Sequence, residues 1–121
     1  NEEGIREFIE ILESYGLTGS EVTLEEVLHL KTGVNYLENN TFLLSGEFIE
    51  KEEFKNAKQI IIPDDEAYAA NCIWVNDKVI VPTGFPKVAE AVKAAGYEVI
   101  LTDTSEYRKL DGGLSCLSLR F

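Results

Sequence analysis

The chain has 121 residues, which is enough for one domain, residues 1–121, with its own hydrophobic core. Its 22 acidic and 11 basic residues give a net charge of −11, which argues against nucleic-acid binding and favours a cationic small molecule as a ligand. No segment approaches the ~18 consecutive apolar residues of a membrane span, and two cysteines are too few to indicate a disulfide-rich secreted protein.

The first thirty residues predict a helix followed by extended chain. Apolar residues recur at helical spacing over residues 2–15, and Gly16 is a suitable C-terminal stop for that helix. Val22 and Leu24 alternate with polar neighbours and predict a short strand. A second extended piece, residues 27–30, carries His29, the only histidine of the chain.

The middle of the chain predicts the same strand–strand–helix–strand unit twice, at an offset of about forty residues. The first unit has strands at 34–37 and 41–45 joined by Asn39-Asn40, a short helix at 48–54 and a strand at 59–62. The second has strands at 72–75 and 78–81 joined by Asn76-Asp77, a helix that begins at Pro86 and a strand at 97–101. Asn-rich and Asn-Asp connections are typical of hairpin turns. The pattern therefore predicts a mixed α/β fold.

The last dozen residues contain the strongest candidate for chemistry. A helical turn over 105–109 leads to Gly112-Gly113, and alternating apolar residues predict a final strand over 116–119 that would present Cys116 at its mouth. A cysteine nucleophile needs a nearby proton carrier, and His29 has the right chemistry for that task. An isolated cysteine is, however, more often a small buried apolar residue, and one Cys with one distant His is a weak signal.

Three segments resemble the dimethylarginine dimethylaminohydrolase family, in the family's order and spacing: Leu28–Lys31, Asp64–Cys72 and Asp111–Cys116. This family belongs to the guanidino-group-modifying superfamily, together with the arginine deiminases. The resemblance runs along the whole of this chain. Members of the family are about twice as long, so the chain resembles only the C-terminal half of each. The resemblance implies part of a five-bladed ββαβ propeller, with about two full blades and two partial ones here.

The resemblance also implies the chemistry. Cys116 matches the nucleophile that attacks the guanidinium carbon, and His29 matches the general acid–base. Leu110 matches a position whose backbone carbonyl receives the substrate's α-amino group. Asp111 either faces the guanidinium or caps its own turn. No cofactor and no metal are expected, because one Cys and one His do not make a metal site.

Other readings remain open. Lys31 occupies a position that is usually acidic in arginine and agmatine deiminases, so the resemblance favours dimethylarginine, with an arginine deiminase as the alternative. A non-catalytic binding or regulatory fragment is another alternative. The chain begins at Asn1 without Met, so we expect a fragment, or one chain of a split protein, whose partner is the N-terminal half. We further expect a cytoplasmic protein that is inactive on its own and could form a homodimer. Cys72 lies in an apolar predicted strand, and we expect it to be an unreactive residue of the core.

Overall fold

The structure is a computed structural model that describes residues 1–119. It is a mixed α/β fold with two three-stranded sheets. The helices are α1 (Glu2–Ser14), α2 (Pro86–Ala94) and α3 (Ser105–Arg108). The strands are β1 (Val34–Tyr36), β2 (Thr41–Leu44), β3 (Lys58–Ile61), β4 (Ile73–Val75), β5 (Lys78–Pro82) and β6 (Glu98–Thr102). Short 3-10 helices cover Leu30–Thr32, Gly46–Phe48, Glu52–Phe54 and Asp64–Ala70.

The two sheets have the same topology, which confirms the predicted repeat. In each sheet the first strand pairs antiparallel with the second, and the second pairs parallel with the third. The β4–β5 hairpin turns on Asn76 and Asp77, with φ of 49° and 63°, because a two-residue turn of this hand needs positive φ at both positions. The β1–β2 connection is longer and also takes Glu38 through positive φ.

One apolar core joins the two units. Leu37, Leu43 and Ile62 of the first unit pack in the same cluster as residues of β5 and α2. Pro86 begins α2 with a preset φ, and the buried face of the helix carries Val88 and Val92. A second cluster under the first sheet contains Val34, Leu44, Phe48 and Phe54. Because the two units share a core, the loops and turns that follow their strands are held in fixed positions relative to one another.

Helix α1 forms where its periodicity predicts it. The Asn1 side chain caps it by accepting a hydrogen bond from the Gly4 N–H at 2.8 Å, and Gly16 follows its end at a φ of 74°. Part of its apolar surface is not covered within residues 1–119: Phe8, Ile11 and Tyr15 are 61%, 54% and 80% exposed, whereas Ile9 and Leu12 are half-buried. No helix of the described residues is long and apolar enough to cross a membrane.

Three predicted elements are wrong in detail. The segment around Val22 and Leu24 is not a strand, because the backbone N–H groups that follow it bind a side chain rather than a neighbouring strand. The predicted helix at 48–54 is two separate 3-10 turns. The extended piece predicted over residues 27–30 ends at His29, because Leu30 begins a 3-10 helix.

The predicted final strand is also wrong over residues 116–119. The Leu117 N–H donates to the Gly113 carbonyl at 3.1 Å, and the Ser118 N–H donates to the Ser115 carbonyl at 3.4 Å. These local hydrogen bonds close a turn, so Cys116 lies within a turn instead of at the mouth of a strand. The alternation of leucines around it was a misleading signal, since no strand of the described residues pairs with this segment.

Candidate active site

His29 and Cys116, the predicted catalytic pair, line the same cavities. A cavity of about 370 Å³ is bounded by residues 29–32, by Tyr68 and Asn71, and by the C-terminal turn that includes Cys116. A second cavity, of about 640 Å³, also contacts His29, Tyr68 and Cys116, and it adds Leu110. The fold therefore brings together two residues that are far apart in the sequence, and both side chains are exposed to solvent.

The turn that carries Cys116 is fixed from the side by residues 68–71. The Tyr68 hydroxyl donates to the Gly112 carbonyl at 2.7 Å, and the Ser115 N–H donates to the Asn71 side-chain oxygen at 2.8 Å. Gly113 approaches Asn71 so closely that an added Cβ would lie 2.4 Å from its side-chain nitrogen. The second glycine of the pair is therefore required for close packing against Asn71. The side chain of Asn71 thus satisfies a backbone N–H group of the turn.

His29 follows a segment held by a buried carboxylate. The side chain of Glu47, 8% exposed, accepts hydrogen bonds from the backbone N–H groups of Glu25, Glu26 and Val27 at 2.9, 2.9 and 3.1 Å. The hydrogen bond from Glu26 contributes most to lowering the pKa of Glu47. The His29 carbonyl then accepts from the Thr32 N–H at 3.0 Å, which starts the 3-10 turn at Leu30.

The two cysteines have opposite environments. Cys116 is exposed at the cavity, whereas Cys72 is 1% exposed inside the core. Burial raises the pKa of the Cys72 thiol to about 12, because an apolar interior disfavours the thiolate. Cys72 therefore packs as an inert apolar residue, as the sequence predicts, and Cys116 is the accessible thiol of the described residues.

Leu110 and Asp111 both lie at the mouth of the site. The Leu110 side chain is 88% exposed, and Asp111 adopts a φ of 59° in the turn after α3. Asp111 lines both cavities, while Leu110 lines the larger one. All four residues named from the sequence are thus brought to one region of the molecule.

Residues 1–119 contain no group of three or more His, Cys, Asp or Glu side chains placed to hold a metal ion. Two contributors to the site, Glu47 and Tyr68, were not found from the sequence. Tyr68 lies inside Asp64–Cys72, one of the segments that carry the family resemblance, so the resemblance could have marked Tyr68 as a candidate site residue. Nothing local in the sequence links Glu47 to residues about twenty positions earlier.

Comparisons define first the fold. No family model matches the chain. An amidinotransferase from Microseira wollei superposes with a TM-score of 0.79 over 98% of this chain and 40% of its own, at 20% identity. At that identity the likeness shows the fold alone, which is the α/β fold found in amidinotransferases.

Sequence similarity then shows which named proteins the chain resembles. N(G),N(G)-dimethylarginine dimethylaminohydrolase of Pseudomonas aeruginosa is 60% identical over all 121 residues, which cover 48% of that protein. A structure of the P. aeruginosa enzyme, a cysteine-to-serine variant complexed with citrulline, superposes with a TM-score of 0.95 at 59% identity, over 100% of this chain and 48% of its own. The chain is therefore similar along its whole length to these dimethylarginine dimethylaminohydrolases, and it spans about half the length of the curated relatives it matches.

Proposed function

We propose that this chain carries the nucleophile, Cys116, and the general acid–base, His29, of an enzyme that hydrolyses N-omega-methylated arginine to citrulline and dimethylamine. The observation that carries the proposal is the shared cavity that both side chains line. The exposed thiol and a proton carrier line one cavity, and nucleophilic catalysis by cysteine requires both groups at one site. The other cysteine is buried in the core and is excluded from this role.

The relatives support the same two residues. The citrulline complex contains an enzyme whose cysteine is replaced by serine. A second dimethylarginine dimethylaminohydrolase structure, also 59% identical over all of this chain and 48% of its own, with a TM-score of 0.95, is a histidine-to-glycine variant in an adduct with S-methyl-L-thiocitrulline. The replaced cysteine and histidine are numbered higher than Cys116 and His29 by the same offset. That offset exceeds the length of this chain, which supports a match to the C-terminal half.

In the first step the Cys116 thiolate attacks the guanidinium carbon of the substrate, and a carbon–sulfur bond forms. The carbon–nitrogen bond to the dimethylamino group then breaks. His29 gives its proton to the leaving nitrogen, so that dimethylamine departs as the neutral amine. The product of this step is a thiouronium intermediate attached to Cys116. The cationic substrate favours the charged thiolate while it is bound, so the nucleophile is activated where it is needed.

In the second step His29, now neutral, takes a proton from water, and the resulting hydroxide attacks the same carbon. The carbon–sulfur bond breaks, the thiolate of Cys116 is restored, and citrulline is released after the hydroxyl that was added to its carbon loses its proton to solvent. The Leu110 carbonyl receives the α-amino group of the substrate in this proposal, and Asp111 faces the guanidinium. These contacts are supported by the positions of the two residues, since Asp111 lines both cavities and Leu110 lines the larger one.

The active enzyme, in this proposal, also needs an N-terminal half, which completes a five-bladed ββαβ propeller in the cytoplasm. The uncovered apolar side of α1 supports this, since Phe8, Ile11 and Tyr15 form a surface that another element would bury. The two sheets supply two blades, each with the same strand order. The part of the P. aeruginosa relative that this chain does not match is the natural test partner.

The test measures dimethylarginine turnover by the 121-residue chain alone and by the same chain fused to that unmatched part of the relative. We expect no turnover by the chain alone, and release of dimethylamine rather than ammonia by the fusion. Cys116→Ser should abolish the activity of the fusion, while Cys72→Ala, the matched control, should retain it. A folded fusion without turnover would refute the function. Turnover by the chain alone would refute the need for a second half.

A further inference from the structure

The turn that carries Cys116 is held by Tyr68, a side chain outside the catalytic pair. The Tyr68 hydroxyl has one proton, which it donates to the Gly112 carbonyl at 2.7 Å. The Thr104 hydroxyl lies 3.0 Å from the same oxygen and is therefore the donor of that second hydrogen bond. Gly112 begins the segment 112–115, which leads directly to the nucleophile.

The position of the Tyr68 ring is itself fixed. It packs against the ring of Phe85, with 5.4 Å between the centroids, and the Arg108 guanidinium lies 4.7 Å from the Tyr68 centroid. Stacking on both neighbours restricts the ring, so its hydroxyl is presented to Gly112 in one orientation. Thr104, at the other side of the hydroxyl, is 4% exposed and equally fixed.

The far end of the segment is held by Asn71, whose side-chain oxygen accepts from the Ser115 N–H at 2.8 Å. Both contacts come from the same stretch, the 3-10 helix Asp64–Ala70 and its cap. They fix the backbone on either side of Gly113 and Leu114, and Ser115 directly precedes Cys116. Tyr68 also lines both cavities, so it contacts the space where the substrate is expected.

We propose that Tyr68 is a positioning residue for the nucleophile: its hydroxyl, oriented by Thr104 and bonded to the Gly112 carbonyl, sets the direction in which the Cys116 sulfur points into the cavity. The inference rests on the proposed function, because it concerns the orientation of the Cys116 sulfur relative to the reacting carbon of a bound amidine. A thiol that is accessible but wrongly aimed reacts normally with a small neutral reagent and slowly with a bound cation.

The experiment compares two alkylating reagents on the fusion protein: a chloroacetamidine, which mimics a guanidinium, and neutral iodoacetamide. Tyr68→Phe removes one oxygen atom and keeps the stacked ring. The matched control is Tyr97→Phe, which removes a half-buried hydroxyl that donates to the Glu38 carbonyl at 3.1 Å, away from the site. A second variant, Thr104→Val, leaves Tyr68 intact and removes the group that orients it.

Loss of one hydrogen bond corresponds to about 3- to 10-fold in a rate. We expect Tyr68→Phe to lower the ratio of chloroacetamidine to iodoacetamide rates by about that factor, Thr104→Val to lower it less, and Tyr97→Phe to leave it unchanged. A purely structural role would change both rates together. If neither Tyr68→Phe nor Thr104→Val changes the ratio, the inference is overturned. If the unmodified protein shows no preference for the amidine, the proposed function itself fails.

Discussion

The different environments of the two thiols allow a quantitative prediction about their reactivity. Only thiolates react with iodoacetamide, and a thiol of pKa about 12, as Cys72 has, is about one ten-thousandth ionised at pH 8. A thiol at the ordinary value of 9.0 is about one tenth ionised at the same pH, so burial lowers the reactive fraction about a thousandfold. Cys72 is in addition 1% exposed, so the reagent reaches it only when the core opens.

The measurement is a time course of alkylation at pH 8 in native conditions, followed by tryptic digestion and mass spectrometry. Trypsin separates the cysteines, since residues 59–78 contain Cys72 and residues 110–120 contain Cys116. We expect Cys116 to be fully modified while Cys72 is modified at least about a hundredfold less. In denaturant both peptides should be labelled at similar rates, which controls for detection.

One result would refute this reasoning. If both cysteines are modified at comparable rates while circular dichroism shows that the chain remains folded, Cys72 is not sealed in the core. The distinction between an inert and an accessible thiol would then be lost, and with it the exclusion of Cys72 as the nucleophile. Cys116→Ser should confirm the assignment by removing the fast phase and leaving the slow one.

Two further predictions concern the segments next to His29. Because the folded-state pKa of Glu47 is lowered below 4.5, its contribution to stability is present above that value and is lost as the pH falls through the lowered pKa. Glu47→Gln should therefore speed amide exchange at Glu25–Val27 at pH 7, and the difference between the two proteins should shrink as the pH falls through the lowered pKa of Glu47. Gly33→Ala should reduce the free energy of unfolding by roughly 1–3 kcal/mol, since the new Cβ would lie 2.6 Å from the Phe48 ring. Equal melting temperatures for Gly33→Ala and the unmodified chain would contradict the second prediction.

Local patterns in the sequence determined most of the secondary structure. The helix α1 follows from apolar residues at helical spacing, and the β4–β5 hairpin follows from Asn76-Asp77, because these signals act between residues close in the chain. The repeated unit was visible for the same reason. The chemistry of the two side chains made Cys116 and His29 candidates for a catalytic pair, and the resemblance turned that weak signal into a specific expectation.

Only the tertiary structure decided how the site is assembled. The turn at Cys116 replaces the predicted strand because the segment finds its hydrogen bonds locally and on Asn71, 44 positions earlier. Glu47 holds residues about twenty positions before it, and Tyr68 holds Gly112, 44 positions after it. Contacts of this length depend on how two sheets pack on one core, and no periodicity records which distant side chain will meet a given backbone group.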